Sequence, residues 1–167
     1  MNEGSILPVS APAGLFFLEE KETPVVLISG GVGLTPMVSM LNTIIDQKSE
    51  REVTFIHGAL NSKVHALKDE VAQLAKEHDN IKNYVAYSAP TENDREVGNY
   101  DKEGFVDLEW LQSIIKDPSA DFYFCGPVPF MKVMYRILKE WGVPTENIHY
   151  EFFGPAGSLE EDVAVTA

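Results

Sequence analysis

Four apolar residues, Val25-Val26-Leu27-Ile28, run through a serine directly into Gly30-Gly31-Val32-Gly33, and a helical pattern begins within a few residues. No other stretch limits the fold so tightly. A continuous apolar run, bounded by Pro24 and a glycine cluster, reads as a strand buried on both faces. The glycines permit a sharp turn and bring bare N–H groups close to whatever binds there. The helix behind them adds the partial positive charge of its N-terminus. In this reading Thr35 is the N-cap and Pro36 the first helical residue, where a missing N–H costs nothing. Such a strand–loop–helix seat suits an anion, and a pyrophosphate fits it. The competing account is a glycine-rich turn that serves helix packing alone. The dinucleotide fingerprint is matched only in part, because Gly31-x-Gly33-x-x-Pro36 has proline in the third glycine position. The second strand ends in His57-Gly58-Ala59-Leu60-Asn61, with no acidic residue to hold a ribose. No lysine follows the glycines, which excludes a P-loop.

The remaining chain alternates between two periods. Met37, Met40, Leu41, Ile44 and Ile45 predict a helix from Met37 to Gln47. Val64, Leu67, Val71 and Leu74 predict another from Val64 to Lys76. A short helix from Leu108 to Ile115 follows Asp107 as N-cap, and one from Phe130 to Trp141 stops at Gly142. Further strands are expected at Val53–Ile56, Ile81–Tyr87, Phe122–Cys125 and Ile148–Phe152, while polar Pro90 to Gly104 reads as a long loop. Ile6 to Leu18, broken by prolines, reads as a turn between extended pieces, and Glu19 to Glu22 as a solvated linker. The expected fold is α/β: an open, five- to six-stranded parallel sheet with helices on both faces. Such sheets bind ligands beyond the carboxyl ends of their strands.

Composition narrows the partners. The 167 residues carry 13 Lys and Arg against 26 Asp and Glu, a net charge of -13, which disfavours nucleic acid and anionic membranes as main partners. An anion bound at one local site remains compatible with that charge. One cysteine leaves no disulfide framework or Cys-rich metal site, and no apolar run approaches a membrane span. A reducing, cytoplasmic compartment is expected. His57 and His65 fall on different predicted elements and no His-x-x-x-His pair occurs, so no metal site is expected. Ser29 lacks the Gly-x-Ser-x-Gly elbow of a hydrolase.

The glycine loop, Cys125-Gly126-Pro127 after the fourth strand and the ending Tyr150-Glu151-Phe152-Phe153-Gly154-Pro155 form an ordered set. That set resembles the NAD(P)H-binding domain of the ferredoxin–NADP reductase superfamily. More narrowly, it looks like the reductase end of flavohemoglobins, the bacterial and yeast nitric oxide dioxygenases. Ser10 to Leu18, His57-Gly58-Ala59, Asn61 with Val64-His65-Ala66, and Asn147 to Glu151 extend the resemblance over about Ile6 to Pro155. It implies an upstream globin and an upstream flavin barrel, and no Arg-x-Tyr-Ser flavin motif occurs here. The chain is then expected to be an excised C-terminal domain. Residues 1–22 end the flavin barrel, 23–155 form the NAD(P)H-binding domain, and 156–167 form a disordered acidic tail.

By the resemblance, NADH (or NADPH) is the cofactor, with FAD and heme b held by the absent domains. Gly30, Gly31, Val32, Gly33, Leu34, Thr35 and Pro36 would line the pyrophosphate, with His57 also at the cofactor. Gly126, Pro127 and Val128 would sit by the nicotinamide ribose. Cys125, Glu151 and Phe153 would stand at the nicotinamide and flavin as catalytic residues. Each has a plainer account: a small buried residue, a strand-end carboxylate, a core aromatic. Asn61 would reach the adenosine ribose or simply close a turn. Leu60 stands where relatives carry arginine, which tilts the expectation to NADH. The implied activity is hydride transfer to FAD in a protein converting nitric oxide to nitrate. The alternatives are a module serving an iron–sulfur oxygenase, or a nucleotide binder without turnover.

Overall fold

The computed structural model describes residues 14–152. The strand after Pro24, β1, spans Val25–Gly30 and is buried at every residue. Its chain passes through one 3-10 turn, Gly31–Gly33, into α1, Leu34–Asp46. Then come β2 (Val53–Ala59), α2 (Lys68–Glu77) and β3 (Ile81–Tyr87). A short excursion, α3 (Glu92–Val97), β4 (Lys102–Glu103) and α4 (Leu108–Ile114), leads to β5 (Asp121–Gly126). The chain closes with α5 (Val128–Trp141) and β6 (Ile148–Phe152). All strand pairs are parallel, in the order β4-β3-β2-β1-β5-β6. This is the six-stranded α/β sheet the alternation predicts.

Two cores follow from the two-residue period of the strands. Val26, Ile28, Phe122 and Phe124 face Met131, Met134 and Leu138 of α5. Val25, Leu27, Phe55 and Tyr123 face Leu34, Met37, Leu41 and Ile44 of α1. The sheet grows outward from β1 to β4, then crosses back to lay β5 against the other side of β1. The chain therefore leaves β1 and β5 toward opposite faces, which opens a crevice between their carboxyl ends.

Three expected boundaries move. Helix α1 begins at Leu34 with Gly33 as N-cap, so Thr35 and Pro36 lie inside its first turn. The loop after β2 first makes a 3-10 turn, Ser62–Val64, because the Asn61 side chain accepts from the Lys63 N–H. Leu67 then takes a left-handed φ of 54°, and α2 starts only at Lys68, not at Val64. Pro90 to Gly104 is no plain loop. A Thr91–Asp94 capping box starts α3, and Lys102–Glu103 adds a strand beside β3. Helix α3 buries Asp94 rather than an apolar stripe, so it shows no hydrophobic period.

Glu19 to Glu22 is not merely a solvated linker either. The Glu19 N–H donates to the Tyr123 hydroxyl at 3.0 Å. The Lys21 ammonium and Thr23 hydroxyl donate to the Asp121 carboxylate at 3.0 and 2.6 Å. Arg51, 4% exposed, donates to the Thr23 and Glu19 carbonyls and stands 3.7 Å from Asp121. This knot ties the entering chain to the amino end of β5. Just before it, Phe16 and Leu18 pack on the α1-side core while Leu15 and Phe17 face water. Glu19, Asp121 and His149 gather ligand atoms within 4.8 Å, but Lys21, 2.6 Å from Glu19, already supplies the positive charge. Ile6 to Ala13, Phe153 and the acidic tail lie outside the described residues. Among the described residues no helix is long and apolar enough to cross a membrane.

Candidate functional site

The crevice at the carboxyl ends of β1 and β5 is built by backbone contact. A Cβ on Gly33 would overlap the carbonyl oxygen of Cys125, so the glycine loop rests directly on the end of β5. Gly31 turns the chain with φ 51°, a region that ordinary side chains avoid. Together these set the N-terminus of α1 over the crevice. No side chain caps it, and its first turn holds no acidic residue. The Leu34 N–H closes onto the Gly31 carbonyl and Pro36 has none, but no acid cancels the partial positive charge of this helix end, which is what an anion requires. Val32 and Thr35 are exposed beside it, while Leu34 is buried and can offer only its backbone. Helix α5 enters from Gly126 and Pro127 with its first turn likewise free of acid. The Phe130 ring fills the space between the two strands: a Cβ on Gly30 or Gly126 would stand 2.9 or 2.6 Å from it.

From this point a cleft of about 970 Å³ runs along the strand ends, past Pro127 and Gly58 to Leu60 and Phe105, with mostly apolar lining. Phe105 is 79% exposed at its far end. Sequence reasoning passed over both Leu60 as a lining group and Phe105. The available signal was a lone aromatic after Gly104, closing a polar stretch.

The expected site residues divide. The glycine loop, Gly126, Pro127 and Val128 converge on the crevice. Cys125 pairs in register with Glu151, and its thiol donates to the Glu151 carbonyl at 3.3 Å. Burial and the nearby Glu151 carboxylate push that thiol up to about 11, so it stays protonated and fully enclosed. Glu151 is half-buried beside it. His57, expected at the cofactor, is instead 1% exposed and lies beneath the loop. Its Nδ1 is 2.7 Å from the Ser29 hydroxyl, and its ring packs tilted against that of His65, centroids 4.3 Å apart. Burial, then the neighbouring His65, brings His57 down to about 3. Burial and Lys68 bring His65 to about 4, so both imidazoles are neutral at pH 7. Asn61 spends its amide on the turn, accepting from Lys63 and donating to the Ala89 carbonyl at 3.4 Å.

Comparison with known proteins finds relatives of this chain and of its fold. The model of the oxidoreductase NAD-binding domain family matches residues 27–136. The flavohemoprotein of Bacillus thuringiensis subsp. konkukian is 60% identical over 96% of this chain and 40% of its own length. The chain thus spans about two fifths of the curated relatives it matches. The crystal structure of the flavohem-like FAD/NAD binding domain of nitric oxide dioxygenase from Vibrio cholerae superposes with a TM-score of 0.74. It is 36% identical, covering 87% of this chain and 57% of that one. A flavohemoglobin from Malassezia yamatoensis, with bound FAD and heme, gives a TM-score of 0.70. It is 32% identical, covering 82% of this chain and 33% of that one.

Proposed function

We infer the function from one premise: the chain belongs to the oxidoreductase NAD-binding domain family. It binds NADH and serves as the reductase module of a flavohemoglobin that converts nitric oxide to nitrate. The observation that carries this reading is the uncapped, acid-free α1 N-terminus, held at the crevice by Gly33 against the Cys125 backbone.

The dinucleotide lies along the strand ends. Its pyrophosphate takes the N–H groups of Gly31, Val32 and Gly33 and the Thr35 hydroxyl, with Gly30, Leu34 and Pro36 shaping the turn. The nicotinamide half points to Gly126, Pro127 and Val128, beside Glu151. The adenosine half extends to Asn61, Leu60 and Phe105, whose exposed ring offers a stacking face. Apolar Leu60 gives a 2′-phosphate no partner, which favours NADH over NADPH.

Residues 23–155 are the dinucleotide unit; 1–22 belong to the end of a flavin barrel, and 156–167 form an acidic tail. FAD and heme b belong to the preceding domains, and when bound they supply the hydride acceptor and the route to oxygen and nitric oxide. This chain's own task is placement. The reacting atoms of donor and acceptor must come within roughly 3–3.5 Å, with water kept out. Cys125 and Glu151 would bound the nicotinamide end, and Phe153, outside the described residues, is the aromatic that the resemblance assigns to the flavin. One cysteine and a fold tied together without disulfides suit a cytoplasmic protein.

Calorimetric titration with NADH tests the reading. The purified chain is expected to bind with a dissociation constant on the order of micromolar to millimolar, and to carry no flavin colour. An intact fold that takes no NADH overturns it.

A further inference from the structure

The loop from Leu60 to Leu67 leaves the sheet and borders the adenosine end of the cleft, yet none of its residues is buried. The β2–β3 ladder extends only to the Leu60 carbonyl, which accepts from Ala89 N–H at 2.9 Å. Beyond that, Leu60, Val64 and Leu67 are exposed, and Leu67 takes a backbone conformation unfavourable for a side chain that size. Hydrophobic burial therefore does not fix this loop, and other contacts must.

One such contact comes from His65. Its Nδ1 lies 2.9 Å from the hydroxyl of Tyr87, a fully buried residue of β3. Its ring packs against His57 of β2, tilted by 31° with centroids 4.3 Å apart, and His57 in turn holds Ser29, the β1 residue immediately before the glycine loop. The line Ser29–His57–His65–Tyr87 thus joins three neighbouring strands to the loop from beneath. Neither imidazole lines the cleft. Both rings are neutral, so charge is not their contribution.

We propose that His65, packed against the His57 ring and hydrogen-bonded to Tyr87, is a positioning residue for the adenosine half of the dinucleotide: it holds the Leu60–Leu67 loop in its binding geometry. This rests on the dinucleotide reading given above. Without the ring, the loop must be ordered at the moment of binding, and the ordering cost falls on the adenosine contacts. The glycine loop, anchored independently by Gly33 on β5, does not share that cost. The consequence is selective: ligands that reach the loop weaken, and ligands that stop at the crevice do not.

Two NMR titrations of the purified chain test this, one with ADP-ribose and one with reduced nicotinamide mononucleotide. His65→Ala is expected to weaken ADP-ribose roughly tenfold, leaving the mononucleotide within about twofold. His65→Phe, which keeps a ring against His57, and Tyr87→Phe, which removes only the hydroxyl, should each fall between His65→Ala and wild type. Unchanged ADP-ribose affinity in His65→Ala, or equal losses for both ligands, overturns the assignment. If His65→Ala does not fold, Tyr87→Phe decides by the same comparison. Failure of the wild-type chain to bind either ligand would instead remove the dinucleotide reading, and this proposal with it.

Discussion

At the scale of single residues, two kinds of constraint dominate, steric and protonic. Gly33 is steric. Any side chain there must displace the backbone of β5, so Gly33→Ala is expected to cost about 1–3 kcal/mol and to abolish measurable NADH binding, read by thermal melting and titration. The histidine pair is protonic. Unfolded, each imidazole takes a proton below its ordinary 6.5; folded, His57 and His65 resist until about 3 and 4. Protons therefore favour the unfolded chain, and stability is lost as pH falls from about 6 toward 4. Two such groups set a slope of up to about 2.7 kcal/mol per pH unit. Urea unfolding at a series of pH values should show this slope, and the His57→Asn/His65→Asn double variant should flatten it. Asp94 adds to acid lability only further down. Burial opposes its charge, but hydrogen bonds from Ser62, Thr91 and Asn99 outweigh that and hold its carboxyl well below the usual range.

Among the elements, α1 is where fold and function pull apart. An acid in its first turn would stabilise the helix by complementing the N-terminal charge, but would repel a pyrophosphate. Thr35→Glu is thus expected to raise the melting temperature slightly while weakening NADH roughly three- to tenfold; parallel shifts would mean the helix end is not the anion seat. How far the elements were legible beforehand follows from what formed them. Strands β1 and β5, buried at every residue, wrote near-continuous apolar runs, while β2, β3 and β6, partly buried, were legible from shorter apolar and aromatic stretches; the glycine loop behind β1 was legible too. Helix α3 and strand β4 could not, because a capping box and two ladder residues leave no period. The start of α2 was misjudged because Val64 and Leu67 fit a helical stripe that Asn61's turn and the backbone of Leu67 interrupt. At the site, glycines and prolines announced themselves by type. The burial of His57 and its partners depends on strand register, Ser29 opposite His57, which one sequence does not display.

The whole molecule has two ends with different duties. The carboxyl end of the sheet holds the crevice and cleft. The amino end holds the knot of Lys21, Thr23, Arg51, Asp121 and His149. Burial works against the Asp121 charge, but hydrogen bonds from Thr23, Lys21 and His149 keep its carboxyl below its ordinary range. Asp121→Ala would take from the enclosed Arg51 guanidinium its foremost counter-charge, leaving Glu22, and one of its nitrogens already lacks a hydrogen-bond partner. The expected loss is about 3–5 kcal/mol, read by denaturant unfolding; NADH affinity of the folded fraction should be unchanged, since the knot is remote from the crevice. The strip just before the knot has a colloidal consequence. Phe16 and Leu18 adhere inward, leaving Leu15 93% and Phe17 64% exposed on a molecule whose net charge is -13. At low ionic strength, charge keeps copies apart. At about 0.1 M salt the screening length shrinks to roughly 10 Å, and the two apolar side chains begin to set the sign of the pair interaction. Light scattering should find the osmotic second virial coefficient turning negative at lower salt for the wild-type chain than for Leu15→Ser/Phe17→Ser, with no difference in melting temperature.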